Sequence, residues 1–213
     1  MNLNPLTYAL LAQEAYSSAP QIGCAGSAAR AIVEATIDGI CYAIPGTNNL
    51  ACWLADLDCD VTVTPLGHLH GGFNRAAWSI VDEIDALIAD SAPVAAILTG
   101  HSEGAALALI LAGYLCLRGR PPRAVFAFEP PRVTIDDTLG QLLAEHGVPI
   151  LMTRCGNDLV PMVPRLVHPW RHPAPLKPIG AAALPFPNVE DHLMARVVEA
   201  VRAFVIGSEL ATA

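Results

Sequence analysis

Hydrophobic and polar positions along the chain follow two periods, one typical of strands and one typical of helices. Two β-like runs flank Asp38 and Gly39, and an Asp-Gly pair in that setting predicts a β-hairpin. The stretch DVTVTPL predicts a further strand because apolar and polar residues alternate along it. Helical spacing of apolar residues predicts a helix over FNRAAWSIVDEIDALIAD, and the residues concerned are Ala77, Ile80, Ile84, Leu87 and Ile88.

The second half of the chain alternates strand and helix signals. PVAAILTG, RAVFAFEP and VPILMTRC predict strands, while EGAALALILAGYLCL and IDDTLGQLLAEHG predict helices that end at Gly119 and Gly147. Eight prolines between Pro161 and Pro187 predict an extended connection before a last helix, VEDHLMARVVEAVRAFV. This order predicts an α/β fold with a mostly parallel sheet, whose ligand site lies outside the carboxyl ends of the strands.

Composition supports one folded domain over residues 1–213. Hydrophobic residues make up 53% of the chain and charged residues 15%, which excludes intrinsic disorder and suits strands covered on both faces. The formal net charge is −8 and no basic run occurs, so nucleic acid is not an expected partner. The first helix contains Gln13 and Glu14 and no apolar run spans a membrane, so we expect a soluble protein, cytoplasmic or exported without a recognisable signal.

Neither cysteines nor histidines indicate a metal site. The six cysteines form no C-x-x-C pair and several lie in apolar runs, so reduced buried thiols are expected. His68 and His70 form an H-x-H pair, but no third ligand follows at a recognisable spacing. We therefore expect no metal and no organic cofactor.

The stretch ILTGHSEGAALAL joins a predicted strand to a predicted helix through the pattern G-x-S-x-G. Gly100 and Gly104 would relieve crowding in so tight a turn. The hydroxyl of Ser102 would then project from the sheet edge, with the positive end of the helix beneath an oxyanion formed on attack. The pattern predicts a nucleophilic serine, and the alternative is a serine that only caps the helix.

A nucleophilic serine needs a histidine base and an orienting carboxylate. Asp158 follows the strand VPILMTRC through a short turn, which places it on the same rim as Ser102. Asp136 and Asp137 open a predicted helix, where acids more often support the N-terminus.

For the base, His192 at the start of the last helix is favoured, because it could reach back over the sheet edge. His146 ends a helix, and His168 and His172 lie in the proline-rich segment, so each also fits a purely structural role. Upstream histidines rank lower because the acid and the base follow the serine in the α/β-hydrolase order.

Six segments, taken together and in order, resemble the class 3 (fungal-type) triacylglycerol lipases. They are IPGTNNLACWLADL, HLHGGF, LTGHSEGAALAL, FEPPRV, RCGNDLVPMVP and EDHLMARVV. The resemblance implies an α/β-hydrolase fold with an abbreviated N-terminal part. It also implies Ser102 as nucleophile, Asp158 as acid and His192 as base.

The resemblance further assigns an oxyanion hole and a lid. The backbone N–H groups of Thr47 and Glu103 would stabilise the oxyanion. The segment after Thr47 corresponds to the family's lid, and a fixed helix packed on the core is an equal alternative because periodicity does not reveal motion. The candidate lid or acyl-groove residues are Leu50, Trp53, Leu54 and Leu57.

Two residues depart from the family pattern. Glu103 replaces the usual apolar residue after the nucleophile, and Glu129 stands where the family strand commonly ends in a small residue. A carboxylate facing the pocket would repel anionic substrates and raise the pKa of the catalytic imidazolium.

These observations predict a serine carboxylester hydrolase that cleaves acyl esters, lipid esters above all, through an acyl-enzyme and with transient contact to a lipid interface. A short-chain or aromatic-ester esterase, a phospholipase and an acyltransferase are alternatives on the same site, because the triad fixes the chemistry and the groove fixes the substrate. A non-catalytic binding module is the alternative from another class.

Overall fold

The computed structural model describes residues 3–47, 60–165 and 167–210, and a mixed β-sheet runs through them. The strands are β1 Ile22–Gly23, β2 Arg30–Thr36, β3 Gly39–Ile44, β4 Val61–Thr64, β5 Gly67–His70, β6 Ala96–His101, β7 Ala124–Phe128, β8 Ile150–Cys155 and β9 Leu176–Ile179. The helices are α1 Pro5–Glu14, α2 Gly71–Asp90, α3 Glu103–Leu117, α4 Thr138–Glu145 and α5 Met194–Leu210, with a 3-10 turn at Val160–Met162. The predicted alternation of strands and helices is confirmed.

The main sheet of the described residues has the strand order β1-β2-β3-β6-β7-β8-β9. Strands β1 to β3 pair antiparallel, and each neighbouring pair from β3 to β9 is parallel. The mostly parallel sheet is therefore confirmed. Its carboxyl edge carries the residues that follow β6, β7 and β8, which are Ser102, Glu129 and the turn that leads to Asp158.

Helices cover both faces of the sheet. Tyr42 and Leu98 pack in a core with α2, α3 and α4, while Cys41 and Ile97 pack in a second core with α1 and α5. Side chains at successive strand positions point to opposite faces, so the central strands need apolar residues at every position. This two-sided burial accounts for the high hydrophobic content, whereas the division into one domain stays a prediction.

The structure differs from the predicted elements in several places, one of which is the unpredicted strand β1 at Ile22–Gly23. HLH forms β5, which pairs with β4 in a separate two-stranded sheet. The proline-rich connection contains β9, where Pro178 is tolerated because β9 lies at the edge of the sheet. Helix α5 begins at Met194, five residues after the predicted start, because the side chains before it bond the backbone of a turn.

Two predictions from the sequence, buried reduced cysteines and no membrane-spanning segment, can be compared with the described residues. Cys41, Cys116 and Cys155 are buried free thiols and Cys24 is an exposed one. Within the described ranges, none of the helices combines the length and apolar character that a membrane crossing requires.

Candidate active site

Ser102 forms the single-residue turn between β6 and α3. Its backbone has φ 58° and ψ −127°, a conformation that residues with a side chain rarely adopt. Its N–H donates to the carbonyl oxygen of Phe128 at 2.9 Å, so the hydrogen bonding between β6 and β7 continues up to the turn. The strained residue is therefore held by the sheet on one side and by the helix on the other.

The two glycines of the motif are required by close approach of strand and helix. A Cβ atom on Gly100 would collide with the carbonyl group of Gly104. A Cβ atom on Gly104 would in turn collide with the carbonyl oxygen of Ile44, at the end of β3. No side chain fits at either position, which is why the turn can present Ser102 so sharply.

A continuous hydrogen-bond chain joins Ser102, His192 and Asp158. The Oγ of Ser102 lies 2.8 Å from Nε2 of His192, and Nδ1 of His192 lies 2.6 Å from Oδ2 of Asp158. All three side chains are buried. A carboxylate can only accept, so Nδ1 of His192 carries the hydrogen and donates it to Asp158. Nε2 then has no hydrogen and accepts from the serine hydroxyl. The hydroxyl makes no capping bond to α3, which argues against the purely structural alternative.

The turn after β8 orients Asp158. The N–H of Asp158 donates to the carbonyl oxygen of Cys155 at 3.0 Å, which closes the turn. Oδ1 of Asp158 accepts from the N–H of Val160 at 2.9 Å. One carboxylate oxygen is thus fixed by the backbone, and the other is directed at His192.

The loop before α5 positions His192 by pairing with the acid turn. The N–H of Asn188 donates to the carbonyl oxygen of Asn157 at 3.0 Å, and the N–H of Leu159 donates back to the carbonyl oxygen of Asn188 at 3.0 Å. The two loops therefore run side by side, with Asp158 and His192 on facing sides.

Asp191 fastens this loop one residue before the histidine. Its fully buried carboxylate accepts from the backbone N–H of Asn157 and of Ala183, both at 2.9 Å, and from Nδ2 of Asn188 at 3.0 Å. Arg196 adds an ion pair at 3.0 Å. Burial would raise the pKa of Asp191, but the three hydrogen bonds and the arginine lower it below its usual value.

His101 bears on the site in a way that sequence reasoning missed. Its Nε2 lies 3.0 Å from the carbonyl oxygen of His192 and its Nδ1 lies 2.7 Å from the hydroxyl of Tyr16. Nε2–H therefore donates to the carbonyl, and Nδ1 accepts from the phenol. Burial, and then the nearby His192, lower the pKa of His101 well below its usual value, so the ring is neutral and supports the backbone of His192. Its place directly before Ser102 gave only a weak signal of this role.

Thr47, one of the two predicted oxyanion donors, lines a cavity of about 280 Å³. Glu103 is the first residue of α3, so its N–H has no acceptor within the helix. Thr47 follows Gly46, on which a Cβ atom would stand only 2.8 Å from Cβ of Ser102. The cavity is lined by Gln13, Tyr16, Thr47, His101, His192, Leu193 and Met194.

The lid prediction falls outside the described part of the chain. Leu50, Trp53, Leu54 and Leu57 all lie between residues 48 and 59, so the lid stays a prediction.

The two unusual glutamates lie on either side of the triad. The side chain of Glu103 is partly buried, which raises its pKa, while the charge of Arg30 lowers it. Glu129 is fully buried at the end of β7 with φ 55°, and it contacts Asp158. The sequence marked both as departures but did not reveal which way either side chain points.

The other histidines and acids considered for the triad contact residues outside it. Nδ1 of His146 bonds the backbone of its own helix, His168 packs against Trp170, and Nε2 of His172 donates to the carbonyl oxygen of Pro161. Asp136 pairs with His68, and Asp137 pairs with Arg171. Across the residues that the structure describes, no cluster of three or more His, Cys, Asp or Glu side chains could hold a metal ion.

Comparisons with known proteins bear on the family and the fold of this chain. The family model described as Lipase (class 3) matches residues 41–168. A secreted mono- and diacylglycerol lipase A from Penicillium cyclopium is 26% identical over 151 residues, which cover 67% of this chain and 48% of the relative. A secreted mono- and diacylglycerol lipase 1 from Fusarium solani is 28% identical over 145 residues, which cover 64% and 42%. The chain thus spans about half the length of these relatives.

Solved structures share the fold. The triacylglyceride lipase of Rhizomucor miehei superposes with a TM-score of 0.70 at 19% identity, covering 89% of this chain and 92% of that one. Lipase II from Rhizopus niveus superposes with a TM-score of 0.65 at 21% identity, covering 77% and 74%. These likenesses confirm the predicted α/β-hydrolase fold.

Proposed function

Because this chain belongs to the class 3 lipase family, we propose that it is a serine carboxylester hydrolase that cleaves acyl esters through Ser102, His192 and Asp158. The observation that carries the proposal is the unbroken hydrogen-bond chain from Asp158 to Ser102, with the serine at a strained turn between strand and helix. A non-catalytic module would have no need for a buried serine directed at a bare imidazole nitrogen.

Acylation follows from the protonation states of the three side chains. Nε2 of His192 takes the proton as Oγ of Ser102 attacks the ester carbonyl carbon. The backbone N–H groups of Thr47 and Glu103 stabilise the oxyanion of the tetrahedral intermediate. The imidazolium then returns its proton to the alkoxide leaving group, the alcohol departs, and the acyl group stays on Ser102.

Deacylation repeats the sequence with water. His192 removes a proton from a water molecule, whose oxygen attacks the acyl carbon of the ester on Ser102. The second tetrahedral intermediate collapses to a carboxylic acid and the free serine. Asp158 keeps Nδ1 protonated and stabilises the imidazolium in both halves of the reaction. No step needs a metal or an organic cofactor.

Acylglycerols are the substrate class that the comparisons favour. The curated relatives are named as secreted mono- and diacylglycerol lipases. We therefore propose a lipid ester as substrate, transient contact with a lipid surface, and action after export. Cell fractionation of the source organism with an antibody against the chain would test export, and recovery in the cytoplasm alone would contradict it.

Labelling with a fluorophosphonate followed by peptide mapping tests the nucleophile directly. We expect label on Ser102 in the wild type and none in Ser102→Ala, whereas Ser91→Ala, which removes a hydroxyl near the start of β6, should label normally. With p-nitrophenyl esters, Ser102→Ala should lose about 10⁶-fold in kcat. Label on another residue, or equal activity of Ser102→Ala and wild type, would refute the proposal.

A chain-length series separates lipase from esterase. A preference for long-chain acylglycerols, with a hydrolysis rate that increases above their solubility limit, would support a lid-gated lipase. A short-chain or aromatic-ester optimum without that increase would instead favour the esterase alternative. Release of lysophospholipid, or ester formation with added alcohol, would identify a phospholipase or an acyltransferase.

A further inference from the structure

Glu129 lies at the centre of the catalytic edge of the sheet without a role in the reaction described above. It directly follows β7, the strand between those that lead to Ser102 and to Asp158. Its φ of 55° is in the left-handed region, and its side chain is 0% exposed. Its N–H donates to the carbonyl oxygen of Thr153 at 3.2 Å. A buried acid in a strained backbone is costly, so its contacts warrant an explanation.

The carboxyl group of Glu129 reaches over the end of β8. Oε2 accepts from the N–H of Cys155 at 2.7 Å, and Oε1 accepts from Oγ1 of Thr153 at 3.0 Å. The side chain also lies near the carboxyl of Asp158, whose charge acts on it. Two buried carboxylates so close together repel each other, so one of the pair takes up a proton.

The surroundings decide which group carries the proton. Each carboxyl oxygen of Asp158 already accepts a hydrogen bond, one from Nδ1–H of His192 and one from the N–H of Val160. Burial raises the pKa of Glu129 well above its usual value, and the charge of Asp158 raises it further. The proton therefore resides on Glu129.

We propose that Glu129, in its acid form, is a positioning residue that donates its O–H to Asp158 and thereby moderates the negative charge that this carboxylate presents to His192. The proposal rests on the proposed function, because it assigns a role within the same triad. The proton stays on Glu129 throughout the reaction, so no transfer step is added.

The expected consequence is a shift in the pH at which the base becomes available. A hydrogen bond donated by Glu129 reduces the negative charge on the Asp158 carboxylate, so this carboxylate stabilises the imidazolium of His192 less. The enzyme gains a base that works further into the acid range.

Other titratable groups face the same pair of residues, but their charges are fixed near neutral pH. The ring of His101 is neutral, and burial with nearby carboxylates raises the pKa of the Cys155 thiol to about 12, so it is neutral too. Asp191 is ionised and paired with Arg196. A pH effect of Glu129 can therefore be read without interference from these neighbours.

Two substitutions at residue 129 separate positioning from mere packing. Glu129→Gln keeps the shape and offers an N–H donor to Asp158, so it should behave as the wild type does. Glu129→Gly suits the φ of 55° but removes the donor. We expect the acid limb of the rate of fluorophosphonate labelling of Ser102 to move up by about 0.5–1 pH unit in Glu129→Gly and to stay in place in Glu129→Gln.

Three outcomes would overturn the proposal. An unshifted limb in a folded Glu129→Gly protein would mean that Glu129 only fills space. A shift to lower pH in Glu129→Gln would mean that a charged Glu129 had been removed. Equal upward shifts in both variants would mean that the effect does not come from a donated hydrogen bond. Circular dichroism would establish that each variant is folded.

Infrared spectroscopy provides a readout that needs no activity. The difference spectrum between the wild type and Glu129→Gln at pH 7 should contain the carbonyl stretch of a neutral carboxylic acid. The matched control Asp191→Asn, which alters an equally buried but ionised acid, should leave that band in place. Absence of the band would refute the proposal even if labelling succeeds. Conversely, failure of wild-type labelling would refute the proposed function, while the band would still report whether Glu129 holds a proton.

Discussion

Glu129 and Asp191 are two acids that solvent does not reach, yet their surroundings shift their pKa values in opposite directions. Asp191 accepts three hydrogen bonds and pairs with Arg196, and its pKa is lowered. Glu129 accepts from a backbone N–H and a hydroxyl but faces another carboxylate, and its pKa is raised. Burial raises the pKa of both acids, and at Asp191 the hydrogen bonds and the arginine outweigh it.

The difference separates two tasks at one site. The charged acid ties together the loop that carries His192, so its contribution is to stability. The neutral acid touches the residue that orients the imidazole, so its contribution is to chemistry. Substitutions at each acid should therefore affect different measurements.

The largest expected effect is on stability at the charged acid. Asp191→Ala leaves three N–H donors and a partly buried arginine without their acceptor, and we expect a loss of about 2–4 kcal/mol in the free energy of unfolding. Urea denaturation at pH 7 measures it. Glu190→Ala, which removes an exposed acid 3.8 Å from Arg196, should cost less than about 0.5 kcal/mol and serves as control. Equal losses in both would show that Asp191 does not fasten the loop.

The next effect depends on pH. Because the pKa of Glu129 is higher in the folded than in the unfolded chain, the folded chain binds more protons between the two values, and wild-type stability falls as pH rises through that window. Glu129→Gln does not titrate, so its stability relative to wild type should rise as pH increases above the usual pKa of a glutamate, by at most about 1.4 kcal/mol per pH unit.

The charged acid should give the opposite sign in the same experiment. The lowered pKa of Asp191 contributes stability that is present above its unfolded pKa and is lost as pH falls through the folded value. Asp191→Asn should therefore differ most from wild type at neutral pH and least in acid. If the unfolding free energies of Glu129→Gln and wild type differed by the same amount at every pH, the opposite pKa shifts of the two acids would be contradicted.

A smaller effect is expected from the arginine that pairs with Asp191. Arg196 is 34% exposed, so solvent screens its charge, and Arg196→Met should cost about 0.5–1 kcal/mol of unfolding free energy. Thermal or urea unfolding checks this value. A loss as large as that of Asp191→Ala would show that the ion pair, and not the backbone hydrogen bonds, holds the loop.

The smallest effect concerns Glu103, the third acid near the triad. Its backbone N–H has the proposed catalytic role and its side chain has none, so Glu103→Leu should keep kcat/KM within about threefold while altering substrate or pH preference. Steady-state kinetics on neutral and anionic esters would measure it. Abolished turnover in a folded variant would show that the carboxyl takes part in the reaction.

Much of the fold and the arrangement of the triad could be predicted because both depend on local signals. Gly100 and Gly104 flank the serine turn, and Asp158 follows a buried strand through a short turn, so neighbouring residues predicted both positions. The parallel sheet follows from the alternation of strands and helices. The structure brings the three predicted side chains within hydrogen-bond distance, while their catalytic roles stay a proposal.

The rest depends on contacts between distant segments, which periodicity does not encode. Strand β9 was hidden because prolines usually exclude strands, and only its place at the sheet edge makes Pro178 acceptable. The contact of Glu129 with Asp158 depends on a left-handed backbone at a residue that is not glycine. The bond between His101 and Tyr16 joins residues 85 positions apart, and no local pattern predicts it.

The hydrogen bonds of His101 also bear on how the chain acquires its reactivity. They join the first helical region, the centre and the last part of the described chain, and Ser102 and His192 are themselves 90 positions apart. Contacts of such long range form late, after the entropy of closing the intervening loops has been overcome. A chain still being synthesised, or trapped partly folded, therefore carries a serine without a base and does not attack esters around it. Reaction of Ser102 with a fluorophosphonate would then measure complete folding, molecule by molecule, and not only catalytic competence.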